Sequence, residues 1–304
     1  MDPLSDVLSL LRVENLLSSR MEMQGDWSIG FPSYRHILFG GVLEGSHWIC
    51  IDGAAPFKMS TGDCVLLTSG TPFRLASDPA VPAIDRAVLD ERFRGEDNIV
   101  RYGNSGERTV LAGSTFTFDD DTSDVLLRLL PSVVHVPALS FNAASLQTIL
   151  DVLGFETEVN RPGSLAVAAS LANIILVKIL RVHLATSPQP AGWLRGTVDP
   201  RIGRALALLH GAPAQHWTVE HLAANTGMSR TAFAERFKEV VGLPPLDYLI
   251  RWRMQLAKIA LKDSTRNLSS IAESLGYASD SSFNAAFKRA TGHSPGRYRA
   301  GDRS

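Results

Sequence analysis

Between Thr218 and Tyr298 the apolar residues recur at three- and four-residue spacing, and the whole pattern is written twice. Residues 218–248 (TVEHLAANTGMSRTAFAERFKEVVGLPPLDY) align with 267–298 (NLSSIAESLGYASDSSFNAAFKRATGHSPGRY), at an offset of 49 up to Gly227/Gly276 and of 50 after one inserted residue. Leu222 then matches Ile271, Phe233 matches Phe283, Phe237-Lys238 matches Phe287-Lys288, Gly242 matches Gly292, Pro245 matches Pro295 and Tyr248 matches Tyr298. Each copy predicts a short helix, a tight turn and a second helix. Thr218 and Asn267 are suited to cap the first helices, and Gly227 and Gly276 to end them. The second helices start at Ser229 and at Ser279 or Asp280. Their expected buried faces are Ala232, Phe233, the Arg236 stem, Phe237, Val240 and Val241 in one, and Phe283, Ala286, Phe287 and Ala290 in the other. This is the pattern of a helix-turn-helix, whose second helix enters the DNA major groove. Two hairpins that merely pack a core would share it.

The segment between the copies bears on that choice. Pro245–Lys262 predicts one helix with proline in its first turn and an apolar face of Leu246, Leu249, Ile250, Leu256, Ala257, Ala260 and Leu261. Eighteen residues span roughly 27 Å, close to the separation of about 34 Å between successive major-groove faces on one side of B-DNA. Charge points the same way. From Asp199 onward there are 15 Lys and Arg against 9 Asp and Glu, whereas residues 1–198 carry 15 against 22 and the chain as a whole is −1. A basic segment on an acidic body suits phosphate binding. Double-stranded DNA is the expected partner.

Upstream the period shortens. From Trp27 to about Phe118 the chain runs through WSIGF, HILFGGVL, HWICID, CVLLT, FRLA, AVLDERF, RTVLAG and STFTF, broken by Gly, Pro, Asp and Ser. Short β-type runs with turns between them predict a sandwich or barrel. The acidic N-terminus MDPLSDVLSLLRVE reads as a short amphipathic helix. Asp124–Leu130 and Ser145–Glu158 read as helices, and Gly163–Leu184 as a longer one with Leu165, Ala169, Ala172, Ile175, Leu176, Ile179 and Leu180 on its apolar face. Residues 187–192 (SPQPAG) form the best linker, and Trp193–His210 opens the C-terminal part. The expected fold class is α+β in two domains, residues 1–190 and 191–304. No apolar run of membrane-spanning length and no leader are expected, so the protein is read as soluble, cytoplasmic and without a membrane partner. Cys50 and Cys64, the only cysteines, lie between apolar strand-like residues and read as buried structural thiols.

The C-terminal stretches WTVEHLAANTGMSRTAFAERFKEVVGLPPLDYLIRWRMQLA (217–257) and LSSIAESLGYASDSSFNAAFKRATGHSPGRYR (268–299) resemble the AraC/XylS family of bacterial transcription regulators. The stretches GDCVLLTSGTPFRLASDP (62–79), LAGSTFTFD (111–119), LLRLLPSVVHV (126–136) and GWLRGTVDPRIGRALALLH (192–210) are similar to the cupin-type sensor of one branch of that family. The resemblance implies a cupin jelly roll with helices, followed by an all-α double helix-turn-helix. It also implies a homodimer paired through helices like Gly163–Leu184, a small-molecule effector, contact with RNA polymerase and activation of transcription. Carried over by position, the base-facing residues fall on Thr231, Ala234 and Glu235 in the first recognition helix, and on Asp280, Ser281 and Ala285 in the second. None is an Arg or Gln able to grip a purine bidentately. Glu235 suits a cytosine amino group and Thr231 a thymine methyl. Backbone phosphates would be met by Arg230, Arg236, Lys238, Arg251, Arg253, Lys288 and Arg289, with Ser229 and Asn284 completing the expected DNA-binding set.

The barrel lacks the marks of a metal enzyme. A metal-binding cupin needs several His and carboxylate ligands converging on one point. Here the expected histidine of the second motif falls on Phe73, no His-x-His pair is present near Phe39–Trp48, and His36 and His47 are isolated. No metal, no cofactor and no catalytic residue are expected. A sensing pocket is the better use of such a barrel. Its expected lining is drawn from Trp27, Arg35, His36, Trp48, Phe57, Phe73 and Arg74. Arg86, Arg92, Arg94, Arg101 and Arg108 form a cluster suited to an anionic effector, a nucleotide second messenger included. Asp85, Asp90, Glu91, Glu96, Asp97 and Glu107 balance them, as on an ordinary solvated loop. The reading is an effector-responsive regulator. Its rivals are a constitutive or architectural DNA binder with a vestigial sensor, and a metal-dependent cupin enzyme.

Overall fold

The computed structural model describes residues 3–10, 14–34, 36–117, 131–140, 144–158, 161–186, 192–262 and 266–301. They fall into two compact units, one built from 14–117 with 131–186, the other from 3–10 with 192–301. Arg35, the predicted helix Asp124–Leu130 and most of the predicted linker lie outside the described residues.

The first unit is a mostly antiparallel sandwich. Its strands are β1 (Glu14–Gln24), β2 (Ser28–Phe31), β3 (Ile37–Glu44), β4 (Ser46–Ile51), β5 (Phe57–Ser60), β6 (Cys64–Leu67), β7 (Phe73–Ala76), β8 (Ile84–Asp85), β9 (Ile99–Tyr102), β10 (Arg108–Thr117) and β11 (Val133–Val136). One sheet has the order β11-β6-β3-β10-β1-β9, the other β5-β4-β7-β2-β8. Helices α3 (Ala144–Glu158) and α4 (Ser164–Thr186) pack on the larger sheet. Strand β6, whose four residues CVLL are all buried, is covered by α4 on one side and by the sandwich interior on the other, which is why it shows no polar alternation. Between the sheets lies a core of Met21, Met23, Trp27, Ile29, Val42, Ile49, Met59 and Phe73.

Three expectations are corrected here. The run AVLDERF is not a strand: Arg86–Phe93 forms helix α2. The Asp85 carboxylate caps it by accepting from the Ala87 amide at 2.8 Å, and Arg86–Asp90 and Asp90–Arg94 pair at helical i,i+4 spacing. The runs RTVLAG and STFTF are one continuous strand, β10, and β1 begins well before Trp27. Finally, α4 is long and apolar enough to span a membrane, with a mean hydropathy of 2.0 in its most apolar window. It packs instead against α3, β1, β6 and β11, burying Ala168, Ala172, Ile175, Leu176, Ile179 and Leu180.

The second unit is all helical: α1 (Pro3–Leu10), α5 (Gly192–Val198), α6 (Pro200–Gly211), α7 (Val219–Thr226), α8 (Arg230–Val241), α9 (Pro245–Lys262), α10 (Leu268–Ser274), α11 (Asp280–Thr291) and α12 (Pro295–Arg299). Helix α1 packs on α5, α6 and α9. His210 of α6 stacks on Trp252 at 3.8 Å and shares a 2.7 Å hydrogen bond with the Tyr248 hydroxyl, tying α6 to α9.

Candidate nucleic-acid interface and ligand cavity

Each helix-turn-helix is built by the same local chemistry. The side-chain oxygens of Thr218, Ser229, Asn267 and Ser279 accept from the backbone amides of His221, Ala232, Ser270 and Ser282, capping α7, α8, α10 and α11. Beneath the recognition helices α8 and α11 the apolar triplets repeat. Phe233 lies 5.7 Å from Phe237 and Phe283 lies 5.8 Å from Phe287, while Tyr248 and Tyr298 meet the second ring of each pair edge-on. With these faces buried, α8 turns Arg230, Thr231, Glu235 and Lys238 to solvent, with Ala234 half-buried. Helix α11 exposes Asp280, Ser281, Ala285, Lys288 and Arg289, with Asn284 half-buried. Ala232 and Ala290, expected inside, are exposed as well.

The seven basic residues expected at phosphates divide into two groups. Lys238, Arg251, Lys288 and Arg289 are exposed, with no acidic partner among the described residues. Arg230 pairs with Glu220 at 2.7 Å, and Arg236 with Asp199 at 3.1 Å and Glu239 at 3.0 Å. Arg253 is a correction. Its Nε donates to the Pro213 carbonyl at 2.7 Å and its Nη2 to that of Gln215 at 3.0 Å, and its guanidinium carbon lies 5.7 Å from the Tyr277 ring centroid. It clamps the loop before α7 to the turn of the second motif, a structural task.

The same loop explains a feature the sequence left unread. Both turn glycines are left-handed, Gly227 at φ 67° and Gly276 at φ 77°. A Cβ on Gly227 would meet open space, whereas one on Gly276 would lie 2.2 Å from the Ala214 carbonyl oxygen. The second turn thus sits directly against the backbone that Arg253 grips.

The sandwich encloses a cavity of about 360 Å³, within the roughly 300–1,000 Å³ typical of small-molecule sites. A row of small residues makes the room. Across the larger sheet Ser19 on β1 is opposite Gly113 on β10, and Gly113 is opposite Gly40 on β3. All three line the cavity. The walls are otherwise largely apolar, with Met21, Leu38, Ile49, Leu67, Phe73 and Leu111 among them. The polar lining includes Arg86 and Asp90 on α2, Arg94 at its C-cap, and His47 on β4. His47 is buried, and its Nδ1 has no hydrogen-bond partner among the described residues. Burial pulls its pKa down to about 4 against the opposing influence of Asp63, so the imidazole is neutral at neutral pH.

Of the residues expected at an effector, Phe73, Arg86 and Arg94 are on the cavity wall. The other described ones are placed elsewhere. Trp27 is sealed in the core, Trp48 alternates to the opposite face of β4 from His47 and Ile49, and His36 and Phe57 are outside the lining. Arg74 alternates away from Phe73 and donates to the Pro79 and Val81 carbonyls. Arg92 is exposed on α2, Arg101 pairs with Asp97 and Glu22, and Arg108 with Glu44 and Glu22. The residues missed, His47, Asp90 and the Gly40/Gly113 pair, had one readable signal: glycine inside an apolar strand run marks a bulge or a close approach.

Among the described residues no three His, Cys, Asp or Glu side chains gather as a metal site. Asp63, beside the barrel's buried Cys64, directs its carboxylate to the amides of Ser60 and Ala138 and to His135. Burial and Asp63 push the Cys64 thiol up to about 12, so it stays protonated.

Tandem helix-turn-helices with exposed recognition faces, joined in one chain to a cupin-type sandwich, define a class of DNA-binding transcription regulators. Residues 2–185 match the cupin family model and residues 222–301 the helix-turn-helix domain model. An AraC-like transcription regulator of Streptomyces lividans is 41% identical over 301 residues, covering 98% of each chain. The HTH-type transcriptional regulator AlkR of Acinetobacter baylyi is 31% identical over 304 residues, covering 98% of this chain and 99% of that one. Among solved structures, the DNA-binding domain of AdpA in complex with a target DNA is 34% identical and covers 34% of this chain and 92% of that one, with a TM-score of 0.32. The chain belongs to the AraC family of transcription regulators, and it is a regulator rather than an enzyme.

Proposed function

We propose that this regulator is effector-responsive: a small molecule in the barrel cavity controls how a dimer engages DNA and activates transcription in the cytoplasm. Helices α8 and α11 read consecutive major-groove segments, Thr231, Ala234 and Glu235 facing bases from the first and Asp280, Ser281 and Ala285 from the second. Lys238, Arg251, Lys288 and Arg289 meet phosphates. The effector acts by its differential affinity for two arrangements of the dimer's DNA-binding units, and activation proceeds through RNA polymerase. The observation that carries this reading is the cavity itself, kept open by the aligned Ser19, Gly113 and Gly40. Filling such a row with larger side chains would strengthen the sheet, so a barrel serving only as a scaffold has no need of it.

The test is a mobility shift on DNA from the gene's own neighbourhood, at fixed salt with excess competitor. It is run with a panel of sugars, aromatic acids, aliphatic acids and cyclic nucleotides. The expected result is a specific shift that one compound strengthens or abolishes. The control is Gly113→Val. A Cβ at Gly113 meets nothing closer than the Phe39 carbonyl oxygen at 3.4 Å, so the variant, checked for a native melting transition, should narrow the cavity and shift DNA without responding. A specific shift that no compound alters, in either protein, would instead favour a constitutive regulator.

A further inference from the structure

We infer that the cavity takes an apolar molecule carrying a single carboxylate, and that Arg86 holds the carboxylate. The inference rests on the effector-binding reading above and names the ligand's chemistry.

Asp90 engages both of its oxygens, accepting from Arg86 Nε at 2.8 Å and from Arg94 Nη2 at 2.7 Å. Arg94 is then completed by Asn98, whose side-chain and backbone oxygens accept from Nη1 at 2.7 and 3.1 Å. Arg86 is not completed in this way. Its Nη1 points at the Met21 thioether, 2.8 Å away, and its guanidinium carbon lies 5.5 Å from the Phe31 ring centroid. Met21 and Phe31 both line the cavity. A thioether is a weak acceptor, whereas a carboxylate takes a guanidinium through strong, paired hydrogen bonds. A ligand carboxylate would therefore displace a poor partner at little cost.

Charge and polarity narrow the class. Asp90 is the only acid among the described residues lining the cavity, so two guanidiniums facing one carboxylate leave a single positive charge. One anionic group matches it; a diphosphate would not. The largely apolar wall leaves the hydroxyls of a sugar or the ribose of a nucleotide without partners, at the cost of burying unpaired polar groups. The arginine cluster at 86–108 therefore does not make a nucleotide site, because only Arg86 and Arg94 of its five arginines reach the cavity.

The experiment is calorimetric titration of the full-length protein with decanoate, decan-1-ol and decyltrimethylammonium below their aggregation thresholds. Naphthalene-2-carboxylate and 2-naphthylmethanol repeat the comparison with an aromatic body. In at least one series the carboxylate should bind about tenfold or more tighter than its alcohol, and the ammonium should not bind. Arg86→Gln should reduce that preference to about twofold or less and leave the alcohol's affinity unchanged, since Asp90 keeps Arg94 as partner. Arg86→Lys should keep part of the preference, and Arg92→Gln, on the same helix but outside the cavity, all of it. An alcohol binding as tightly as its acid, or a preference that survives Arg86→Gln, overturns the inference. If that binding is nevertheless lost in Gly113→Val, the effector-binding reading stands. Failure of all five compounds to bind overturns the inference, and the mobility-shift panel then decides the effector-binding reading by itself.

Discussion

In the first helix-turn-helix Phe233, Phe237 and Tyr248 form a tilted and edge-on triplet, and in the second Phe283, Phe287 and Tyr298 repeat it with ring separations of 5.4–5.9 Å throughout. The caps repeat, the C′ glycines repeat, and the outward residues, Lys238/Lys288 apart, do not. Thr231, Glu235 and Lys238 face solvent from one copy, Ser281, Ala285, Lys288 and Arg289 from the other. Duplication preserved what buries and let go of what is read. The copies also differ in their setting, because the turn of the second abuts the loop that leads into the first.

Five substitutions, in three comparisons, probe the shared half and its setting. Phe237→Ala and Phe287→Ala remove fully buried rings and should each destabilise the helical unit by about 3–5 kcal/mol, seen as equal losses in urea denaturation midpoints. A large inequality would show that one motif is stabilised by something other than its triplet. Gly276→Ala should be markedly worse than Gly227→Ala. Both force a Cβ into the left-handed region, costing roughly 1–2 kcal/mol, but only the first also drives it into the Ala214 carbonyl. Equal melting temperatures would remove the close packing from the account. Arg253→Ala leaves two carbonyls without their charged donor and should cost about 1.5–3 kcal/mol. It should also weaken binding to a full two-segment operator more than to DNA carrying one segment, because the two motifs lose their fixed spacing. Equal weakening on both would mean that Arg253 meets phosphate after all.

The repeat was legible because caps, turn glycines and Phe spacing are local, and Pro245–Lys262 proved to be one helix end to end. What escaped was non-local. Nothing near Arg253 in the chain signals that its acceptors lie about 40 residues upstream. Alternation was readable in β1, where Met21 and Met23 turn inward between Arg20, Glu22 and Gln24. It was missed because the strand pattern was read only from Trp27 onward, leaving the residues after the short N-terminal helix without an element. In α2 the adjacent Val88 and Leu89 imitated a strand, while the deciding ion pairs run through charged residues that a hydrophobicity pattern ignores. Inward and outward faces of the barrel followed from register alone, so Trp48 and Arg74 were expected on a lining that the structure gives to His47 and Phe73.

The smallest effects separate the two recognition faces most cleanly. Glu235→Ala removes the one exposed acceptor on α8 suited to a cytosine amino group. It should relax specificity at a single operator position by roughly 1–3 kcal/mol and leave the salt dependence unchanged, because no cation is lost. Lys288→Ala on α11 should do the reverse. It lowers affinity for every sequence alike, and the slope of log K against log salt falls by about one. Both are measured by titrating labelled operator and single-base variants at several salt concentrations. If Lys288→Ala changed the preference among variants, Lys288 would be reading a base rather than holding a phosphate. If Glu235→Ala changed only the overall affinity, Glu235 would not be reading a base, and specificity at that position would have to arise from other contacts or from DNA shape.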